Sequence, residues 1–182
     1  MDLKSILENY EKNLCTKTFQ YELNNKWKID LNFYTQDFCH LLGIQHVHIK
    51  DKRYIGQNGY NLIKENKVTI ETLKRQNAKG YNFIKGKIEH FNEILNMMSN
   101  CNIVKFYEDR VTGKCTKVSA EFTIYYKGKE VLLHLFMRKD TQKLNGFVPV
   151  SFIVISQNDK RVNRYIEKQE HKKITNFNII EK

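Results

Sequence analysis

Val131-Leu132-Leu133-His134-Leu135-Phe136-Met137-Arg138 is the stretch on which the reading of the fold turns. As a strand it places Val131, Leu133, Leu135 and Met137 on one face, and His134, Phe136 and Arg138 on the other. Tyr126-Lys127-Gly128-Lys129, just before it, reads as a turn, so an antiparallel partner is expected over residues 117–126. Further strands are expected over 103–107, 130–138 and 147–156. A polar loop at 140–146 joins the last two. The basic tail from 161 to 182 closes on Phe177-Asn178-Ile179-Ile180, which suggests one more edge strand.

Upstream the periodicity changes. Residues 56–99 are helical throughout, and the longest helix is expected over about 79–98. Ile84, Ile88, Phe91, Leu95 and Met98 recur at spacings of four and three, forming one buried stripe with Lys85, Lys87 and Glu89 beside it. Thr69 is placed to cap another helix. Leu3, Ile6, Leu7, Tyr10 and Leu14 mark a first amphipathic helix over 3–15. Between them, two alternating runs, Thr18 to Leu23 and Trp27 to Leu31, flank Asn24-Asn25-Lys26 as a hairpin. His40 falls on a short helix or turn that Gly43 stops. The expectation is an α+β fold in a single domain over residues 1–182. An N-terminal hairpin and helices (helical part about 35–99) pack on a roughly four-stranded antiparallel sheet (about 102–182).

Thirty-one Lys and Arg against 20 Asp and Glu leave a formal net charge of +11. That excess points to polyanionic partners, nucleic acid first and an anionic membrane surface second. With 41% hydrophobic residues, wholesale disorder is excluded. No apolar run approaches the roughly 20 residues needed to span a bilayer. The first residues lack a secretory core, so a cytoplasmic protein is expected. Cys15, Cys39, Cys101 and Cys115 have no short-spaced pairing and read as reduced thiols. Cys39, His40, His46 and His48 could in principle hold zinc, but the CxxC pair typical of structural zinc is missing, so neither metal nor cofactor is expected.

GxxxxGK[ST] is absent, as are paired carboxylates at metal-binding spacing. Nuclease chemistry would then rest on His, Lys, Arg and Ser, and would favour RNA, whose 2′-hydroxyl supplies the nucleophile. His40 is the first candidate for proton exchange, with an ordinary core imidazole as the alternative. Lys87 and His90, three apart on a helix, can face one ligand, and Lys87 can neutralise a phosphate. His134, Phe136 and Arg138 on one sheet face suit RNA, the alternative being a half-exposed amphipathic strand. Ser151 can hydrogen-bond a phosphate or be a satisfied strand serine. Lys85, Arg161 and Arg164 are the remaining candidates for backbone contacts.

Four pieces carry a family resemblance. They are Trp27-Lys28-Ile29-Asp30-Leu31-Asn32-Phe33 leading into Phe38-Cys39-His40-Leu41-Leu42-Gly43-Ile44; Gly86-Lys87-Ile88-Glu89-His90-Phe91; Leu133-His134-Leu135-Phe136; and Pro149-Val150-Ser151-Phe152. Together, from about 18 to 180, the chain resembles a phage-associated branch of the barnase–EndoU–colicin–RelE-like nuclease superfamily. The resemblance implies a metal-independent RNA-cleaving site on a sheet face, with His40 as general acid or base, Ser151 on the phosphate and Lys87 as the nearby cation. The family commonly has arginine where Lys87 stands, and lysine keeps the charge but loses bidentate phosphate binding. A rival expectation is a non-catalytic basic phage protein that inhibits a CRISPR-type host-defence complex by binding it or its nucleic acid. A third is the toxin of a toxin–antitoxin pair, with an antitoxin as partner.

Overall fold

The computed structural model describes residues 2–24, 26–48, 51–113, 116–141 and 143–182; Cys115 lies outside them. The chain forms two compact units, one from Met1–Thr16 and Phe33–Leu95, the other from Lys17–Asn32 and Asn96–Lys182.

The first unit is helical. Helix α1 (Leu3–Tyr10) starts where the Asp2 carboxylate accepts the Ser5 N–H at 2.8 Å. It buries Leu3, Ile6, Leu7 and Tyr10, the stripe the spacing predicts, and continues as a wider π turn over Glu11–Cys15. Tyr10 is the hub of an aromatic knot, its ring 5.1 Å from Phe38, 5.8 Å from Phe91 and 5.9 Å from Phe33. Its hydroxyl, which would be costly to bury unpaired, donates to the Tyr34 carbonyl at 2.8 Å. Helices α2 (Phe38–Leu42), α3 (Gly56–Lys64), α4 (Ile70–Gln76) and α5 (Ala78–His90) follow. Thr69 caps α4 as expected, and Thr72 returns the bond to the Thr69 N–H. The long helix expected over 79–98 is broken: Ile94 N–H bonds to Phe91, three residues back, and a separate helix α6 (Glu93–Ser99) begins. The buried Phe91 side chain sits at that break.

The second unit is the sheet. Its strands are β1 (Lys17–Leu23), β2 (Lys28–Asn32), β3 (Asn102–Lys105), β4 (Phe122–Lys127), β5 (Val131–Lys139), β6 (Gly146–Ser156), β7 (Glu170–Lys172) and β8 (Ile174–Glu181). They form one sheet in the order β7-β3-β4-β5-β6-β2-β1-β8. The expected α+β class holds, but the four-stranded sheet is an undercount. Three long-range pairings extend it. The hairpin joins through a short parallel contact, Asp30 with Gly146 and Leu31 with Phe147. The tail adds β8 along β1 and β7 along β3. None of these pairings has a local signature, and β7 is only three residues long. The sheet is therefore mixed rather than purely antiparallel.

Opposite Phe136 and Met137 the register of β6 slips, so that Phe136 pairs with Ser151 and Met137 with Pro149. An interior strand has no use for a residue lacking an N–H, and the irregularity accommodates Pro149. The His134 face of the sheet is packed. Val104, Phe106, Leu132, Phe136, Tyr165 and Ile166 form a closed apolar cluster there, with Val150, Ile153 and Ile155 against it.

Candidate active site

Gly43 organises the helical unit's polar corner. It ends α2 at φ +83°, a left-handed backbone that favours glycine, and its N–H reaches the carbonyls of Cys39 and His40, both at 3.0 Å. A side chain there would be tight: a Cβ would meet Ile84 at 3.0 Å and the His46 ring at 3.2 Å, with Lys87 Nζ in ordinary contact at 3.5 Å. The turn thus packs His46 and Lys87 against the glycine that ends the helix bearing His40.

Each of the three groups has a distinct environment. His40 is exposed, with Nδ1 3.3 Å from the Gln45 side-chain amide. His46 stands edge-on to Phe83, ring centres 4.7 Å apart. His46 is exposed as well; partial desolvation lowers its pKa, and the positive charges of Lys87 and His40 lower it further. Lys87, half-buried on α5, donates to the Leu41 carbonyl at 3.4 Å, and burial pulls its pKa down to about 8. It is still a cation at neutral pH. His90, expected beside Lys87, instead pairs with Glu93 at 2.5 Å. Lys85 is exposed and faces Glu89 at 3.6 Å.

His134 has a different setting. It has the strand parity the sequence predicts, but that face is covered, and the ring is 0% exposed. It lies between Phe136, 6.2 Å away, and Tyr165, 5.5 Å away. Burial pushes its pKa down to about 3. The Ile153 backbone favours the charged form slightly, yet neither ring nitrogen reaches a partner with hydrogen-bond geometry. Phe136 is equally buried, so the exposed RNA face expected of His134, Phe136 and Arg138 is not open: only Arg138, at the end of the strand, is exposed. Segment 157–169, which carries Tyr165 and Ile166, had no signal marking it as the lid of this face. Ser151 is half-buried opposite Phe136. Arg161 is tied to Asp159 at 3.1 Å, and Arg164 lies over the Tyr165 ring at 4.9 Å.

Sequence reasoning passed over His46 except as a zinc ligand. The signal was available in Gly43: a left-handed stop between two histidines folds the second back toward the first. Cys39 is buried, its thiol pushed up to about 12, and His48 stacks on Tyr54 at 3.4 Å. Among the described residues, no group of three or more His, Cys, Asp or Glu side chains is placed to hold a metal ion. Among the described residues, Cys15, Cys39 and Cys101 form no disulfide. No helix in the described residues is long and apolar enough to cross a membrane.

A family model described as phage-Barnase-EndoU-ColicinE5/D-RelE like nuclease4 matches residues 2–182. Comparison with curated proteins and with solved structures gives no match.

Proposed function

Because the chain belongs to the phage-Barnase-EndoU-ColicinE5/D-RelE like nuclease4 family, we propose that it cleaves RNA without a metal, by 2′-hydroxyl attack on the adjacent phosphate. The observation that carries this reading is the packing of His46 and Lys87 on Gly43, at the end of the helix that presents His40.

The reaction needs a base, an acid and a cation. His46, whose pKa is lowered by partial desolvation and by the charges of Lys87 and His40, takes the 2′-hydroxyl proton as the O2′–P bond forms. His40, exposed at the surface, gives a proton to O5′ as the P–O5′ bond breaks. The products are a 2′,3′-cyclic phosphate and a free 5′-hydroxyl. Lys87 offsets the charge that builds on the phosphorane, and its partial burial strengthens that effect relative to a solvated ammonium. Ser151 is proposed to donate a hydrogen bond to a phosphate from the sheet. Lys85, Arg138, Arg161 and Arg164 are proposed to contact the backbone, whereas His134 and Phe136 are left to the core by their burial.

Purified protein incubated in EDTA with labelled RNA and DNA tests the reading directly. RNA fragments with cyclic-phosphate ends, and intact DNA, are expected. Intact RNA in the presence of protein that binds it would defeat the proposal.

A further inference from the structure

The sheet unit carries a second basic, aromatic feature that the proposed chemistry does not use. Trp27 leaves the β1–β2 hairpin and is 40% exposed, its ring centre 5.3 Å from that of the buried Phe122 in an edge-to-face arrangement. Beside it lies a recess of about 400 Å³, within the ~300–1,000 Å³ range of small-ligand sites. Its walls include Lys26, Lys28, Lys139 and Leu144, the last 86% exposed.

The charges in this recess are only partly neutralised from within. Lys28 meets Glu22 at 3.2 Å. Glu121, the acidic residue of the wall, accepts the Lys139 backbone N–H at 3.1 Å. On its other side the indole begins a ladder of rings and cations. Lys105 Nζ lies 5.1 Å from the Trp27 ring and 5.5 Å from the Tyr107 ring, and Arg110 lies 4.1 Å from Tyr107. Lys26 itself holds a left-handed backbone at φ 64°, a strained conformation for a residue with a side chain. The hairpin tip thus tolerates strain while carrying a cation beside the indole.

An aromatic platform between cations is the recurring means of gripping unpaired nucleotides: every base has a face to stack, and every linkage has a phosphate to neutralise. We propose that this recess is a holding site for single-stranded nucleic acid, with a base stacked on Trp27 and the flanking phosphates against Lys26 and Lys139. The choice of polymer rests on the nuclease reading above. The site adds a grip on the strand that is separate from the groups exchanging protons. A duplex, whose bases are already stacked, has no face to offer the indole.

Trp27 is the only tryptophan in the chain, so its emission reports on this site alone. The full chain is titrated with a 2′-O-methyl RNA decamer, which cannot be cleaved by 2′-hydroxyl attack, and binding is followed in parallel by anisotropy of a label on the RNA. Saturable quenching of the tryptophan, with the same midpoint as the anisotropy, is the expected result; the matching duplex is expected to quench far less. Trp27→Phe is expected to bind within about threefold of wild type, and Trp27→Ala about tenfold more weakly or worse. Lys26→Ala and Lys139→Ala are each expected to lower the salt dependence of log K by about 0.7. Binding without a change in tryptophan emission, equal quenching by duplex, or no binding at all would overturn the proposal. Quenching by a protein that leaves ordinary RNA intact would preserve this site and remove the cleavage mechanism. Cleavage without quenching would do the reverse.

Discussion

His40, followed by Leu41 and Leu42, and His134, set between Leu133 and Leu135, both sit beside apolar residues in sequence, yet the two regions around them could hardly differ more. At the end of α2 the chain stops on a left-handed glycine, and His40 reaches solvent with His46 and Lys87 packed against the same glycine. In the middle of β5 both faces of the strand are covered, and His134 is locked among rings with no proton to trade above pH of about 3. An irregular end of an element can expose a titratable group while its apolar neighbours remain in the core; a central strand cannot. Flanking hydrophobicity therefore says little about a histidine's role, and the kind of element that carries it says a great deal.

That contrast can be broken most sharply at His40. Substitution by Ala is expected to cut RNA cleavage at least ~100-fold, with the thermal midpoint nearly unchanged. Equal cleavage by the variant and wild type would dissolve the distinction. Lys87→Met should follow, with a loss of roughly 10- to 100-fold, since one fixed charge on the transition state is removed. The pH profile sharpens this second test. A lysine with its pKa lowered to about 8 is charged below that pH, so the activity it supports falls as pH rises through about 8. Lys87→Arg should move that alkaline limb upward.

The opposite behaviour is expected of His134. Its folded pKa lies below the unfolded value, so the unfolded chain binds the extra proton between about pH 3 and 6.5. Stability attributable to the neutral ring is complete above pH ~6.5 and is lost at up to about 1.4 kcal/mol per pH unit as acid is added. His134→Leu should flatten that acid slope in urea titrations and leave cleavage per folded molecule intact, because it replaces an unpaired polar ring with an apolar group. A drop in cleavage would return His134 to the site. The smallest effect is expected of Gly43→Ala. Its positive φ alone predicts a cost of about 1–2 kcal/mol, and the tight approach of Ile84 and the His46 ring adds to it. The informative readout is the pH optimum of cleavage, which should shift if the glycine sets the spacing of its neighbours.

Much of the local structure was legible because local chemistry dictates it. Gly43 stops a helix, Thr69 caps one, and Asn24-Asn25-Lys26 separates two alternating runs, each where the residues say. The Leu3, Ile6, Leu7 and Tyr10 stripe is buried as its spacing requires. What escaped was set by partners distant in sequence. Nothing in Asp30 or Leu31 announces a parallel neighbour at Gly146 and Phe147, and nothing in Glu170–Lys172 marks a strand. Strand parity correctly grouped His134 with Phe136, but parity cannot tell whether Tyr165 and Ile166 will come to cover them. The packing of His46 and Lys87 on Gly43 likewise depended on a turn and a helix coming together.

The position of the first hairpin has a consequence for the order in which the molecule can be made. Strand β2 borders β6 through residues 146 and 147, and β1 borders β8 over residues 174–181. A growing chain therefore exports the hairpin early and its two neighbours late. A lone pair of strands is marginally stable at best; its β2 edge stays open until residues 146 and 147 arrive, and its β1 edge until residues 174–181 do. Closure of the β1 edge thus waits for residues 174–181, and a ribosome paused before residue 174 holds a chain whose β1 edge lacks that strand.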